Sequence, residues 1–252
     1  MKVGIKDMLE NLSLDQRMQL HGNNYVETFE RTHTPERFDR LIGLIALGKD
    51  SVVADFGCGS GQILERIKDK VKLYKGIDFS EEFISAANRR KNDLNAKNAE
   101  FVCGSIQEFC DKHLEHFDAG LAFDISEHVN DGEWGEIVNA IYKSLKPGGH
   151  VYLHTPNAGF FVEILKARNI VLRQFPEHIA VRNAGENAAF FRSAGFEAVT
   201  VRFLPHYNVL KAVRPLAALP ALGKYFHARI FIEARKPLAD SVKTDGAVDP
   251  HP

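Results

Sequence analysis

A glycine-rich turn directly after a short apolar run constrains this 252-residue chain more than any other feature of its sequence. The run 52–56 leads into Gly57-Cys58-Gly59-Ser60-Gly61, and a stretch with helical character follows at 62–70. Glycines allow positive φ angles and let a ligand approach the main chain closely. The first turn of a helix offers free N–H groups to an anion. The pattern therefore predicts a strand, a ligand-binding turn and a helix, at the carboxyl edge where open α/β sheets bind ligands.

Short apolar runs alternate with helical stretches after this turn. Such alternation predicts a mostly parallel sheet that is covered by helices on both faces. The breaker Lys146-Pro147-Gly148-Gly149 is expected to separate the last of these helices from a fifth strand. Two further strands close the pattern. The predicted strands are 52–56, 73–77, 100–103, 117–123, 150–155, 196–204 and 228–234, and the predicted helices are 62–70, 81–94, 134–145 and 184–194.

The expected organisation is one α/β domain over residues 49–236. An N-terminal helical cap is predicted at 1–48, because Thr34-Pro35 is typical of a helix start and Gly48 of a helix end. Residues 158–186 interrupt the alternation and are interpreted as an inserted lid. The polar, proline-containing tail at 237–252 is predicted to be disordered.

Composition excludes several other functions. The formal net charge is −1, from 32 basic and 33 acidic side chains, which is not the footprint of a nucleic-acid-binding protein. Three cysteines without C-x-x-C spacing indicate neither a zinc knuckle nor a redox dithiol, and they suit a reducing compartment. No apolar signal core and no run of about 18 apolar residues is found. The chain is therefore expected to be cytoplasmic.

The spacing after the turn indicates which nucleotide is bound. Asp78 ends the second predicted strand, 17 residues past Gly61, where a carboxylate can accept both hydroxyls of a ribose. Phe79 follows and is placed to pack on an adenine ring. Dinucleotide enzymes favour G-x-G-x-x-G, whereas Gln62 occupies the third glycine position here. The alternatives are a tight turn that binds nothing, with Asp78 as a helix-capping charge, and an NAD-dependent oxidoreductase.

The segments 53–61, 76–80 and 145–149 together resemble the class I methyltransferases that use S-adenosylmethionine (SAM). The resemblance covers about residues 38 to 234. It implies a Rossmann-like, seven-stranded, mostly parallel sheet of order 3-2-1-4-5-7-6, in which the seventh strand is antiparallel. It also implies SAM as the cofactor and a small molecule as the methyl acceptor.

The resemblance assigns a role to each matching residue. The turn around Cys58 would hold the methionine part of SAM, Asp55 would fix the turn or the amino group, Asp78 would bind the ribose and Phe79 the adenine. Ser105 stands where relatives carry a carboxylate for the adenine, so the Ile106 backbone would serve instead. Phe123 would lie beside the sulfonium. The expected cofactor-binding set is Asp55, Gly57, Cys58, Gly59, Gly61, Asp78, Phe79, Ser105, Ile106 and Phe123.

The string from Asp124 to His128 resembles the D-x-x-E-H segment of small-molecule methyltransferases. It is also similar to a metal-binding segment of the ubiquinone-biosynthesis O-methyltransferases. Asp124, Glu127 and His128 suit a divalent metal such as Mg²⁺, which would orient an acceptor hydroxyl. The alternative is a metal-free segment that simply begins a helix.

Methylation of a hydroxyl is helped by a general base, and the candidates are His128, His154 and His178. Apolar residues at 160–175 share one helical face, and a second apolar stretch lies at 209–226. The first is interpreted as a lid helix or core helix, as an apolar lid over an apolar substrate, or as a surface that touches membrane lipid, and the second could extend the same cover. The predicted function is O-methylation of a small, apolar or amphiphilic acceptor. The alternatives are N- or C-methylation and a non-catalytic SAM-binding protein.

Overall fold

The computed structural model describes residues 35–168, 170, 178–207 and 209–239. The part of the predicted cap before residue 35 and the tail from residue 240 lie outside the described residues, as do residues 169 and 171–177 of the predicted lid. Within the described ranges, no helix has the length and apolarity needed to cross a bilayer.

Seven strands form one sheet in the order β3-β2-β1-β4-β5-β7-β6, which confirms the predicted topology. The first five strands pair in parallel, while β7 is antiparallel to both β5 and β6. The strands are β1 Val52–Phe56, β2 Leu73–Asp78, β3 Ala99–Cys103, β4 Phe117–Phe123, β5 Leu145–Pro156, β6 Glu197–Leu204 and β7 Arg229–Arg235.

Helices lie before and between these strands. The described ranges contain seven α-helices: α1 Pro35–Ile42, α2 Leu64–Ile67, α3 Glu81–Asp93, α4 Ile106–Asp111, α5 Asp131–Ser144, α6 Phe161–Ala167 and α7 Ala184–Ser193. Three 3₁₀ segments cover Ser126–His128, Val209–Ala218 and Gly223–Phe226.

Local sequence explains where the longer helices begin. Asn130 and Asn183 start α5 and α7 with complete capping boxes, in which a glutamate three residues later returns a bond to the cap backbone. Ser80 caps α3 through the Phe83 N–H. All five residues of β1 are buried, as expected of a central strand with helices on both faces. The two main apolar clusters lie on opposite faces of the sheet.

Two local predictions were wrong, and one helix was missed. The Lys146–Gly149 breaker lies inside β5, because a register shift between Phe117 and Ala119 of β4 and a φ of 78° at Gly148 absorb the irregularity. Helix α2 is shorter than the predicted helix at 62–70. Helix α4 was the missed one, since it is only six residues long, Ile106–Asp111.

Candidate active site

The glycine turn joins β1 to α2 at the carboxyl edge of the sheet. Gly57 and Gly61 both have a φ of 69°. A Cβ on Gly57 would lie 2.2 Å from Ile125 Cγ2, and a Cβ on Gly61 would lie 2.8 Å from Phe101 Cζ. The Gly57 N–H donates to the Ile77 carbonyl at 2.8 Å, which ties the turn to β2. Conformation and space therefore both require glycine at these two positions.

Asp78 lies directly beside this turn. Its Oδ2 accepts the Gly59 N–H at 2.9 Å, and its Oδ1 accepts the Ser80 N–H at 3.0 Å. Burial raises the pKa of Asp78 to about 6, although both bonds favour the charged form. Each oxygen keeps a further lone pair for a ligand hydroxyl. The carboxylate can thus accept from a ribose and stabilise the turn at the same time.

Asp55 is a second buried carboxyl group behind the turn. The Tyr74 hydroxyl of β2 donates to its Oδ2. Burial raises the pKa of Asp55 to about 7, and the nearby charge of Asp78 acts in the same direction. Sequence reasoning missed Tyr74, because it belongs to no motif and only its position on β2, next to β1, brings it to Asp55. Two carboxyl groups of raised pKa next to a glycine turn suit a ligand that carries its own positive charge.

A cleft opens between the glycine turn, the end of β4 and α1. Arg37 of α1 is buried within it, and in the described part of the chain its Nε has no hydrogen-bond partner. Burial, reinforced by the charge of Arg229, lowers the pKa of Arg37 to about 9. The cleft is lined by Arg37, Phe38, Asp55, Gly57, Cys58, Gln62, Ile63, Phe123 and Asp124.

These groups fit the parts of SAM. The glycine turn holds a main-chain conformation that residues with a side chain rarely adopt, and the buried carboxyl groups suit an amine and a ribose. The Arg37 Nε, which has no hydrogen-bond partner among the described residues, suits a carboxylate. Of the remaining predicted contacts, Phe79 directly follows β2, and Cys58 and Phe123 line the cleft. Ser105 Oγ accepts the Glu108 N–H at 3.2 Å and so caps α4, of which Ile106 is the first residue.

Asp124 directly follows β4 and has a φ of 54°, a conformation that is uncommon for a residue other than glycine. Its carboxylate pairs with Arg37 and with Arg229 Nη1, the latter at 3.0 Å, and its Oδ1 lies 3.1 Å from His154 Nδ1. The prediction that Asp124 joins Glu127 and His128 in a metal site is corrected here. The structure directs Asp124 towards two arginines instead, because the turn at residue 124 separates it from the following 3₁₀ segment.

His178 takes the place of Asp124 beside Glu127 and His128. One ligand atom from each of the three side chains lies within 4.8 Å of the others. Glu127 is buried and accepts the Thr155 hydroxyl at 3.0 Å. The rings of His128 and His178 are 5.1 Å apart, and burial lowers the pKa of His178 to about 2. His178 is thus neutral at physiological pH, which is the form that binds metals.

Arg182 joins the two segments that carry this group. Its guanidinium donates to the carbonyls of Ser126, Val129 and Ala180, and its Nε donates to Asp131 at 2.8 Å. The Ala180 N–H in turn donates to the Glu127 carbonyl at 3.1 Å. The buried Arg182 thereby fixes the segment after β4 against the segment that contains His178.

His154, a predicted general base, is buried too deeply to contact an acceptor. It has no exposed surface, and it lies between Asp124 and Tyr207, whose hydroxyl is 2.9 Å from His154 Nε2. Tyr207 and Arg229 come from the connection after β6 and from the start of β7. Sequence reasoning missed both, since neither belongs to a motif and only the reversed direction of β7 brings Arg229 to this edge.

Comparisons with known proteins agree with this geometry. Residues 53–149 match a family described as a methyltransferase domain. A ubiquinone biosynthesis O-methyltransferase of Aromatoleum aromaticum is 27% identical over 197 residues, which cover 76% of this chain and 81% of that protein.

Solved structures share the fold. A SAM-dependent methyltransferase from Archaeoglobus fulgidus superposes with a TM-score of 0.66 at 18% identity, covering 84% of this chain and all of that chain. Phosphoethanolamine N-methyltransferase 2 of Haemonchus contortus, in complex with SAM, has a TM-score of 0.66 at 15% identity and covers 93% of this chain and 60% of that chain.

Proposed function

We propose that this chain, which is a class I SAM-dependent methyltransferase, methylates a hydroxyl oxygen of a small, apolar or amphiphilic acceptor. The observation that carries the proposal is the group Glu127, His128 and His178, which lies just beyond the end of β4. Neutral imidazoles and a carboxylate can bind and deprotonate a hydroxyl, either directly or through a metal. The name of the A. aromaticum relative favours oxygen as the accepting atom.

The residues divide into two sets. The glycine turn, Asp55, Asp78 and Arg37 bind SAM, which supplies an activated methyl group when bound. The acceptor lies over the ends of β4 and β5, where Phe123 borders the cleft. Positioning supplies much of the rate in such a reaction, since the sulfonium is already reactive. The remaining task of the protein is to orient one oxygen and remove its proton.

The test is a screen of the purified enzyme with SAM and pooled phenols, catechols and aliphatic amines, analysed by mass spectrometry. We expect a gain of one methyl group on hydroxyl compounds and none on the amines. The variant His128→Ala should bind SAM normally in calorimetry and lose most of the turnover. Methylation confined to amines, or normal turnover of His128→Ala, would contradict the proposal.

We propose further that a divalent cation occupies the group Glu127, His128 and His178. Two imidazoles and one carboxylate are a common ligand set for Zn²⁺, while Mg²⁺ prefers oxygen. This donor set therefore favours Zn²⁺ or Mn²⁺ over the Mg²⁺ expected from the sequence. Titration of metal-stripped protein should give one site for Zn²⁺ that His178→Ala abolishes and Asp124→Asn leaves in place.

The connection between β6 and β7 supports a proposal about a partner, namely peripheral contact with a membrane. Exposed apolar side chains recur every third residue along it, and three exposed cations lie among them. Between Glu197 and Glu233 the sequence contains no acidic residue. Such a surface suits anionic lipid. We name it the β6–β7 surface; its apolar residues are Leu216, Leu219, Leu222 and Tyr225, and its cations are Lys211, Arg214 and Lys224.

A further inference from the structure

The carboxyl group of Asp55 is buried in the wall of the cofactor cleft. We propose that Tyr74 positions this carboxyl group for the ammonium group of SAM, and that Asp55 releases a proton when the ammonium group binds. Tyr74 is then a positioning residue, because it acts through Asp55. The inference rests on the proposed binding of SAM at the glycine turn, and it does not depend on which acceptor atom is methylated.

The register of the sheet brings the two side chains together. Val53 of β1 pairs with Tyr74 of β2, and Asp55 lies two residues further along β1 on the same face of the sheet. The Tyr74 side chain leans along the strands, and its hydroxyl donates to Asp55 Oδ2. Gly76 lies opposite Asp55, and the ring of Phe101 fills the space that a Gly76 side chain would take. That ring lies 5.8 Å from the ring of Tyr74, so packing fixes the ring that carries the hydroxyl.

Among the described residues, no cation compensates the charge of Asp55. Asp78 of β2 is negative and raises the pKa of Asp55, and the β4 residue that pairs with Asp55 is apolar. The Cys58 thiol of the glycine turn is neutral, because burial raises its pKa well above the usual value. Arg37 of α1 lines the same cleft, but it pairs with Asp124. The charge that balances an ionised Asp55 must therefore come from the ligand.

These surroundings determine the charge of Asp55 before and after binding. Burial raises the pKa of Asp55 to about 7, although the hydrogen bond from Tyr74 favours the ionised form. The pKa of Tyr74 is itself raised well above its usual value by burial and by the charge of Asp55, so its hydroxyl remains a donor. Without a ligand, Asp55 is therefore about half protonated at pH 7. An ammonium group in contact with Asp55 favours the carboxylate, so the O–H bond of the carboxyl group breaks and its proton leaves to solvent.

The variant Tyr74→Phe tests the positioning role, because it keeps the packed ring and removes only the donor. Without that hydrogen bond the pKa of Asp55 rises further, and binding must expel a proton from a larger fraction of the protein. We expect the Kd of S-adenosylhomocysteine to be ~10-fold above the wild-type value at pH 6.5 and within about 2-fold of it at pH 8.5. Titration of the ligand itself affects both proteins equally. Tyr152→Phe alters another buried tyrosine of the same apolar cluster and should bind as the wild type at both pH values.

Calorimetry at pH 6.5 in buffers with different heats of ionisation counts the released protons. We expect S-adenosylhomocysteine to release about 0.7 proton more from the wild type than from Asp55→Asn, because a group with a pKa of about 7 is mostly protonated at this pH. The Asp55→Asn value contains the contribution of every other group, including Asp78. 5′-Methylthioadenosine has the nucleoside but no ammonium group, so it should release no proton from Asp55.

A ratio of the Tyr74→Phe and wild-type Kd values that stays constant with pH would mean that Tyr74 only packs the sheet. Equal proton release with the two ligands would mean that Asp55 is not the source of the proton, and this comparison needs no variant. Either result overturns the proposal. A wild type that binds neither S-adenosylhomocysteine nor 5′-methylthioadenosine would instead count against the proposed function.

Discussion

At the scale of single residues, the glycine turn is the part of the site that tolerates substitution least. Replacing Gly57 by alanine imposes a φ of 69° on a residue with a Cβ and drives that Cβ to 2.2 Å from Ile125. The conformation alone costs about 1–2 kcal/mol, and relief of the collision must move the turn or Ile125. We therefore expect Gly57→Ala to weaken the binding of SAM at least ~10-fold in calorimetry.

The control for this variant is Gly132→Ala. Gly132 lies in α5, where an added Cβ would be 3.4 Å from its nearest neighbour, the Asn130 side chain. Alanine is the better helix former, so the control should keep the wild-type affinity for SAM and gain up to about 1 kcal/mol of stability. Equal affinities of the two variants would show that the turn is not the cofactor site.

The raised pKa of Asp55 predicts a pH dependence of stability. Its pKa is about 7 in the folded protein and 3.8 for the free group, so between these values the folded chain retains a proton that the unfolded chain has lost. The contribution of Asp55 to the free energy of unfolding must therefore decrease as pH rises across this interval. Asp55→Asn does not titrate and should become more stable relative to the wild type over the same interval.

The measurement is the difference in Tm between the wild type and Asp55→Asn, taken without ligand at a series of pH values. Taking the difference removes the opposing effect of His178 and His206, whose pKa values are lowered by burial. The exposed Asp50→Asn removes the same charge and serves as the control. A difference that stays constant with pH would contradict the assignment of a raised pKa to Asp55.

At the scale of secondary-structure elements, Arg182 determines how the segment after β4 meets the end of the predicted lid. Arg182→Met removes its bonds to three carbonyls and leaves them buried. We expect a loss of ~3 kcal/mol of stability, because the carbonyls lose their donor, and a ~10-fold or greater fall in kcat, with unchanged affinity for SAM. Denaturant unfolding and kinetics at saturating SAM measure the two effects.

The variant Asp131→Asn distinguishes the effect of the carbonyl contacts from that of the ion pair, because it removes only the charge that pairs with Arg182. The Asp131 side chain is 77% exposed, and exposed pairs contribute little. This variant should retain nearly full stability and turnover. If it lost as much activity as Arg182→Met, the ion pair rather than the fixed position of His128 and His178 would be responsible.

The elements also show what the sequence alone can predict. β1, the glycine turn and Asp78 were predictable, because conformational demand and chain spacing are local properties. The group of Glu127 and His128 with His178 was not, since 50 residues separate His128 from His178 and tertiary contacts, such as those of Arg182 and Ala180, bring them together. The interpretation of Lys146–Gly149 as a breaker was wrong, because a register shift in the neighbouring β4 lets β5 continue through these residues.

At the scale of the whole molecule, the β6–β7 surface predicts how the protein would rest on a bilayer. We expect co-sedimentation with vesicles that contain phosphatidylglycerol, little with phosphatidylcholine alone, and release by salt. The double variant Leu219→Ser/Leu222→Ser should weaken the binding about 10-fold or more.

The control for the vesicle experiment is Leu114→Ser. Leu114 is 60% exposed, but it lies outside the β6–β7 surface. This variant should bind the anionic vesicles as the wild type does. Equal effects of the two sets of substitutions, or binding that ignores the lipid charge, would contradict the proposed contact.

The reversed direction of β7 determines which segment of the chain could be exchanged without disturbing the cofactor site. Arg229, its first residue, pairs with Pro156 at the end of β5 and with Leu204 at the end of β6. The long β6–β7 connection therefore begins and ends at the carboxyl edge of the sheet, the edge that also carries the turn between β1 and α2. Chimeras that exchange residues 205–228 with those of a relative should keep their methyl donor and inherit a new range of acceptors. If so, a change confined to this one contiguous segment would alter the acceptor and leave the residues around the glycine turn as they are.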